Sequence, residues 1–252
     1  MPKQQTTLHK SPGVCVRLSY YSPGERMLPH EHDVHQVSWL LAGEVFEDVR
    51  HRDCEILTAA RGSKPADCLH ANIYGRQGAL LLSVNLDLEQ TAKLLPTDQL
   101  DWSWSPADPA PAAALLGLIG EGGDVAEAAI IDLLALEQGE GVRETACPPA
   151  WLSRVREQLR DAPEAPDLES LAAEGGVHRV HLSRAFTRHF GLSPSLYRAR
   201  SRMAFAVSRM AQGDRLAEAA AEAGFADQSH LNRWLKKETG LPPRRLQQLL
   251  AA

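Results

Sequence analysis

The chain has 252 residues, 44% apolar and 23% charged, enough to bury one or two ordinary cores. That balance excludes a disordered or fibrous chain, and no apolar run reaches the roughly 18–20 residues of a membrane span. The net charge of −5 conceals an asymmetry, because residues 151–252 hold 16 Lys and Arg against 11 Asp and Glu, or +5, while the preceding part carries −10. A basic C-terminal third on an acidic body suits a module that binds a polyanion. The start, MPKQQTTLHK, lacks the apolar stretch of a secretory leader. Cys15, Cys54, Cys68 and Cys147 show no CxxC spacing, which argues against a disulfide framework. A reduced, cytoplasmic protein with no membrane partner is expected.

Residues 13–88 read as short strands, among them VCVRLSYY, QVSWLLAG and ALLLSVNL. Turn formers are expected at Ser22-Pro23-Gly24, Arg61-Gly62-Ser63 and Tyr74-Gly75. Regularly spaced short strands predict an antiparallel sandwich or barrel. Residues two apart on a strand share a face, so His30, His32 and Gln36 are expected to point the same way, with His70 meeting them across the barrel. Two or three imidazoles are the usual basis of a Zn, Fe, Ni or Cu site, and Cys54 or Cys68 offers a thiolate. The same histidines would equally line a pocket for an organic ligand, or serve only as hydrogen-bonding groups. His35 has the opposite parity and is expected at the surface. It shares its face with Val37, Trp39 and Leu41, an apolar stripe that needs a cover such as a partner subunit.

A proline-rich stretch from Pro106 to Pro111 breaks the chain. Beyond it Val125, Ala128, Ala129, Leu133 and Leu136 recur at three- and four-residue steps, predicting a helix over Asp124–Gln138 that packs on its own sheet or dimerises. Gly139–Gly141 and Cys147–Pro149 form a second joint, after which everything reads as helix and turn. There one pattern occurs twice, at Leu171–Pro194 and Ala219–Pro243. Each copy has an Ala-rich helix, a Gly-plus-apolar turn (Gly176-Val177, Gly224-Phe225), a polar helix, and Gly-Leu-x-Pro. Leu182/Phe186 and Leu231/Leu235 mark the buried face of each second helix. The opposite faces carry Arg179, Ser183, Arg184 and Arg188, then Gln228, Ser229, Asn232, Arg233, Lys236 and Lys237. Such donor-rich side chains read base edges and phosphates in a major groove. Pro194–Ala211 predicts one connecting helix about 27 Å long, close to the roughly 34 Å between successive major-groove faces.

At these residues the chain resembles the AraC/XylS family of transcription regulators. GFADQSHLNRWLKKETGLPPRRL looks like that family's C-terminal signature, and Leu168–Phe190 resembles its first helix-turn-helix. The resemblance implies base-reading roles for Val180, Ser183 and Arg184 in the first copy, and for Gln228, Ser229, Asn232 and Arg233 in the second. His178 stands where the family often has a Ser or Thr cap, Ala219 replaces a usual Ile, and Trp234 sits where a small residue is common. Gly24, His30, His32, Gln36 and Gly43, with Pro65–Asn72, resemble the two cupin motifs, Gln36 standing for the usual Glu and Asp67 for the usual Gly.

These readings imply an α+β multidomain chain. A cupin-like antiparallel β-barrel spans 1–105, a helical connector 106–147, and an all-α DNA-binding domain with two helix-turn-helix units 148–252. The expected function is a sequence-specific DNA-binding transcription regulator, not an enzyme, that responds to a small ligand or metal such as Zn in the barrel. The metal or ligand candidates are His30, His32, Gln36, Cys54 and His70. Double-stranded operator DNA, RNA polymerase and a second copy of the chain are the expected partners. The alternative is a metal-dependent cupin enzyme, dioxygenase-like, with a helical appendage; Gln36, where such enzymes usually have Glu, counts against it.

Overall fold

The computed structural model describes residues 4–49, 52–57, 59–87, 89, 101–120, 130, 134, 148–161 and 167–251. The described strands are β1 (Gln4–Lys10), β2 (Val14–Tyr21), β3 (Arg26–His30), β4 (His35–Val49), β5 (Arg52–Leu57), β6 (Ala60–Lys64), β7 (His70–Leu86) and β8 (Ser103–Pro106). Helices follow: α1 (Ala110–Gly120), α2 (Ala150–Asp161), α3 (Leu168–Glu174), α4 (Arg179–Phe190), α5 (Pro194–Ala211), α6 (Leu216–Glu222), α7 (Gln228–Thr239) and α8 (Pro243–Ala251).

The strands form one antiparallel sheet, ordered β1-β2-β7-β4-β6-β8, with β3 added to β7 and β5 to β4. The long strands β4 and β7 pair along their whole length, from His35↔Leu86 to Val49↔His70, with register shifts at Leu40/Ala42 and Gly43/Val45. These bulges divide the sheet in two. On one side β1, β2, β6 and β8 extend it; on the other β3 and β5 do. Bulges bend and twist a ladder locally. Here the bend requires glycine, since a Cβ on Gly43 would lie 2.0 Å from the Gly78 carbonyl oxygen. Arg61-Gly62-Ser63 and Tyr74-Gly75 are not turns; they lie inside β6 and β7. A glycine inside a strand often marks a close approach. A Cβ on Gly62 would sit 2.4 Å from the Trp104 ring, and one on Gly75 would sit 2.8 Å from Glu44 Cβ.

Period-2 alternation sends the two faces of this sheet into two cores. Leu40, Val45, Ile56, Tyr74, Leu81 and Trp104 pack together on one face. On the other, Val37, Trp39 and Leu41 join β2 and β7 side chains against α1 and against α5 to α8. The apolar stripe is therefore covered by the chain's own helices. This core draws on residues from both sides of the expected boundaries at 105/106 and 147/148. The helix expected at Asp124–Gln138 lies outside the described residues except for Ile130 and Leu134, both helical and both buried in the same core. Cys15, Cys54 and Cys68 are free thiols. Among the described residues no helix is long and apolar enough to cross a membrane.

His35 is 7% exposed, not at the surface. Its Nδ1 accepts the Ala66 N–H at 2.9 Å, which gives the buried ring a partner only while that nitrogen is unprotonated. Burial holds its pKa below the usual 6.5. The sign follows from linkage: below about pH 6.5 the unfolded chain takes up a proton that the folded chain resists, so stability falls with pH. Urea midpoints at pH 7.5 and pH 5 should show this loss. His35→Gln keeps an acceptor for Ala66 without titrating, and should lose measurably less.

Candidate nucleic-acid interface and histidine cluster

The two C-terminal copies have matching local structure. Asp167 caps α3 by accepting from the Glu169 and Ser170 N–H groups at 2.9 and 2.8 Å. At the start of α6 the Glu218 carboxylate accepts the Arg215 N–H at 3.1 Å. His178 caps α4, its Nδ1 accepting the Val180 N–H at 3.3 Å, so an imidazole does there what a hydroxyl would. Asp227 caps α7 through the His230 N–H at 2.6 Å. Both α4 and α7 end on a left-handed glycine, Gly191 at φ 72 and Gly240 at φ 71, whose N–H returns to the Thr187 or Lys236 carbonyl.

Leu182, Phe186, Leu231 and Leu235 are fully buried, as their spacing predicts. Arg179, Val180, Arg184 and Arg188 stand exposed on α4, and Gln228, Ser229, Arg233, Lys236 and Lys237 on α7. Ser183 and Asn232 are half-buried. Lys237 also lies over the Trp234 ring, 5.3 Å from its centroid. The first copy has its own core with α2 and the start of α5, formed by Leu152, Val155, Leu159, Leu171, Leu182, Phe186 and Tyr197. The second is buried in the core shared with the sheet, where Ala219 is fully enclosed.

The helix α5 joins the copies and is tied at several points. Arg200 reaches Glu238 of α7 at 3.1 Å, an ion pair with the carboxylate fully buried. Tyr197 donates to Glu44 at 2.8 Å, and Arg160 of α2 approaches the other Glu44 oxygen at 3.6 Å. Burial, then the Glu44 charge, pushes the Tyr197 phenol well above its usual range. Ser201 donates to Gln77 at 3.1 Å, and Gln4 of β1 donates to the Ala211 carbonyl at 3.0 Å. The position of α5, and of the copies that it joins, is thus set against the sheet.

On the sheet, His30, His32 and His70 gather so that one ligand nitrogen from each lies within 4.8 Å of the others. His30 and His70 are ladder partners, which brings them together. Their Nδ1 atoms lie 2.8 Å from the Leu28 and Cys68 carbonyls. A carbonyl can only accept, so both Nδ1 atoms carry the proton, and the Nε2 lone pairs stay available as ligands. His32 lies between β3 and β4, and its carbonyl is held by the Asp67 N–H at 2.8 Å. Asp67 takes the left-handed conformation, φ 57, that asparagine and aspartate tolerate, and so stands in for glycine there. Burial, then the Lys64 ammonium, lowers His70 to about 4; burial and the neighbouring His30 charge lower His32. Three imidazoles, two of them with their tautomers preset, fit a transition metal of the zinc type. Bound there, such a metal would act as a Lewis acid or a structural clamp.

Cys54 does not join the cluster. Gln36 is the ladder partner of Lys64, which pairs with Glu47, so it faces the same side of the sheet as Glu47 and His70. The Gln36 amide donates to Asn85 at 3.0 Å. Cys54 lies against the core of Leu40, Val45 and Trp104, where burial raises its thiol to about 11.

Sequence reasoning missed the charges beside this cluster. Glu47 is 1% exposed and pairs with Lys64 at 2.5 Å. Its other oxygen accepts from Trp102 and Trp104 at 2.7 and 2.6 Å, and the Asn72 amide, turned with its nitrogen toward Glu47, donates to the Lys64-paired oxygen at 2.9 Å. Burial would raise this carboxyl, but Lys64 and the indole N–H groups outweigh it and hold the pKa below the usual range. The ladder pairs Glu47 with Asn72 and Val49 with His70, so Glu47 and His70 face the same way. A charged residue on the apolar parity of Val45 and Val49 was the available signal.

Residues 171–248 match a family model described as a helix-turn-helix domain, which is of the AraC type. No curated protein matches the chain. Among solved structures, ToxT from Vibrio cholerae O395 is 11% identical, over 96% of this chain and 100% of that one, with a TM-score of 0.41. A cupin superfamily protein from Desulfitobacterium hafniense DCB-2 is 21% identical, over 34% of this chain and 81% of that one, at 0.31. KdgF from a Halomonas species is 11% identical, over 35% and 83%, also at 0.31.

Proposed function

We propose that this chain, with its AraC-type helix-turn-helix domain, is a sequence-specific DNA-binding transcription regulator whose N-terminal sheet senses a transition metal or small ligand at His30, His32 and His70. The observation that carries it is the doubled unit: two reading helices with matching caps, each burying one apolar face and exposing a donor-rich one, joined by an 18-residue helix. Residues 1–105 form the sensing part, 106–147 the connector and 148–252 the reader. The histidine cluster senses and does not turn over a substrate. RNA polymerase and a second copy of the chain are its protein partners, in the cytoplasm.

Arg184 and Arg233 are the first base-reading candidates, exposed on α4 and α7. A bidentate Arg–guanine contact discriminates by roughly 1–3 kcal/mol. On a duplex selected by the wild type from a random pool, Arg184→Ala and Arg233→Ala should each lose about that much preference over unrelated DNA. Lys236→Ala should weaken both duplexes alike and flatten the salt slope by about one. Unchanged preference in both arginine variants would remove them from the readout.

Elemental analysis tests the sensor. The wild type, purified without chelator, should retain near-stoichiometric transition metal. His32→Ala/His70→Ala should lose it and still bind duplex DNA, because neither histidine touches the reader. Metal-free wild-type protein would leave the site to an organic ligand.

A further inference from the structure

The segment between the sheet and the connector touches three places whose positions matter. At its start Trp102 and Trp104 donate to the buried Glu47 carboxylate, which shares a face of the ladder with His70. The Trp104 ring lies directly over Gly62, where a Cβ would meet it at 2.4 Å. β8 is paired with β6 up to Ala60↔Pro106, and the Ala107 N–H donates to the Ala59 carbonyl at 3.1 Å. Three residues later α1 begins.

The other contacts are with the reader. A Cβ on Gly191, the left-handed cap of the first reading helix, would touch the Pro106 ring at 3.7 Å. One on Gly240, the corresponding cap of the second, would lie 1.8 Å from the Ala113 carbonyl oxygen, and one on Gly117 would meet the Gly240 carbonyl at 3.6 Å. The C-terminal end of the second of these helices therefore rests on residues 113–117, and that of the first lies near Pro106. Ala112, Leu115, Leu116 and Ile119 fix α1 in the shared core, so the segment is packed on both sides.

We propose that Ser103–Gly120 is a strut through which the histidine cluster sets the position of the two reading helices. The proposal rests on the regulator function above, and its zinc arm rests also on the metal site. A ligand at the histidines that disturbs the Glu47–Lys64 pair moves the acceptor of both indoles. β8 follows the indoles, and Pro106 and Ala113 carry the displacement to Gly191 and Gly240. Linkage makes the coupling reciprocal: DNA held on the reading helices must be felt at Trp102 and Trp104.

The test uses full-length protein labelled with 5-fluorotryptophan, whose five fluorine signals (Trp39, Trp102, Trp104, Trp151 and Trp234) are assigned by single Trp→Phe variants. The probes are a duplex selected from a random pool and, separately, zinc chloride. Saturating duplex should move the Trp102 and Trp104 signals together with Trp234. Gly117→Leu wedges α1 away from Gly240, and in that variant Trp234 should still respond while Trp102 and Trp104 stay still. Zinc should change duplex affinity at least about fivefold in the wild type and less than about twofold in Trp104→Phe, which keeps an aromatic ring there but is smaller and lacks the indole N–H. Duplex that shifts Trp151 and Trp234 alone overturns the strut and leaves the regulator function standing. Coupling that survives in both variants overturns it equally. Protein that binds no zinc removes the metal site, and the duplex arm then decides. Protein that binds no duplex removes the regulator function and the strut together.

Discussion

Glu47→Ala should destabilise the protein by about 3–5 kcal/mol, the range for removing one partner of a buried ion pair. The substitution leaves the Lys64 ammonium, 7% exposed, without its counter-charge, and strips Trp102, Trp104 and Asn72 of a shared acceptor. Most of the loss is the cost of stranding these donors rather than the worth of the contacts removed. Adding Lys64→Met to Glu47→Ala should therefore recover a substantial part of it, because an apolar side chain of similar length needs no partner. Urea unfolding of both variants, read at constant m-value, checks this. A double variant no more stable than Glu47→Ala would show that Lys64 is not the stranded charge.

The two left-handed caps should respond very differently to alanine. Gly191→Ala meets only the conformational cost at positive φ, partly offset by a stiffer unfolded chain, and should cost about 1 kcal/mol. Gly240→Ala meets the same cost and drives a methyl into the Ala113 carbonyl. α1 or α7 must shift, so about 3–4 kcal/mol is expected. Equal losses in the two variants would mean that α1 does not rest on the end of α7.

The reader was legible because its signals are local. The Leu182/Phe186 and Leu231/Leu235 spacing, the glycine that ends each reading helix, and Ser193-Pro194 at the start of α5 lie within one or two helical turns of what they specify. Local signals failed at the sheet. Gly62 and Gly75 look like turn glycines until Trp104 and Glu44, 42 and 31 residues away, arrive against them. His35 reads as a surface residue by parity because its partner, the Ala66 N–H, is 31 residues distant. Period 2 gave no sign that the Gln36 amide would donate to Asn85, 49 residues away. Val37, Trp39 and Leu41 showed that a cover was needed, but only the tertiary fold shows that α1 and the reader supply it.

The central claim is that the two exposed helix faces bind duplex DNA, and a salt titration of affinity tests it most directly. Full-length protein and a duplex selected from a random pool are titrated between 50 and 300 mM salt, with a scrambled duplex as competitor (roughly the range over which phosphate contacts are screened). Each phosphate neutralised by Arg or Lys should contribute about −0.9 to the slope of log K against log salt. With Arg179, Arg184, Arg188, Arg233, Lys236 and Lys237 on the two faces, a steep slope and a clear preference for the selected duplex are the expected result. Folded protein whose affinity is flat with salt, or which treats the two duplexes alike, would contradict the account.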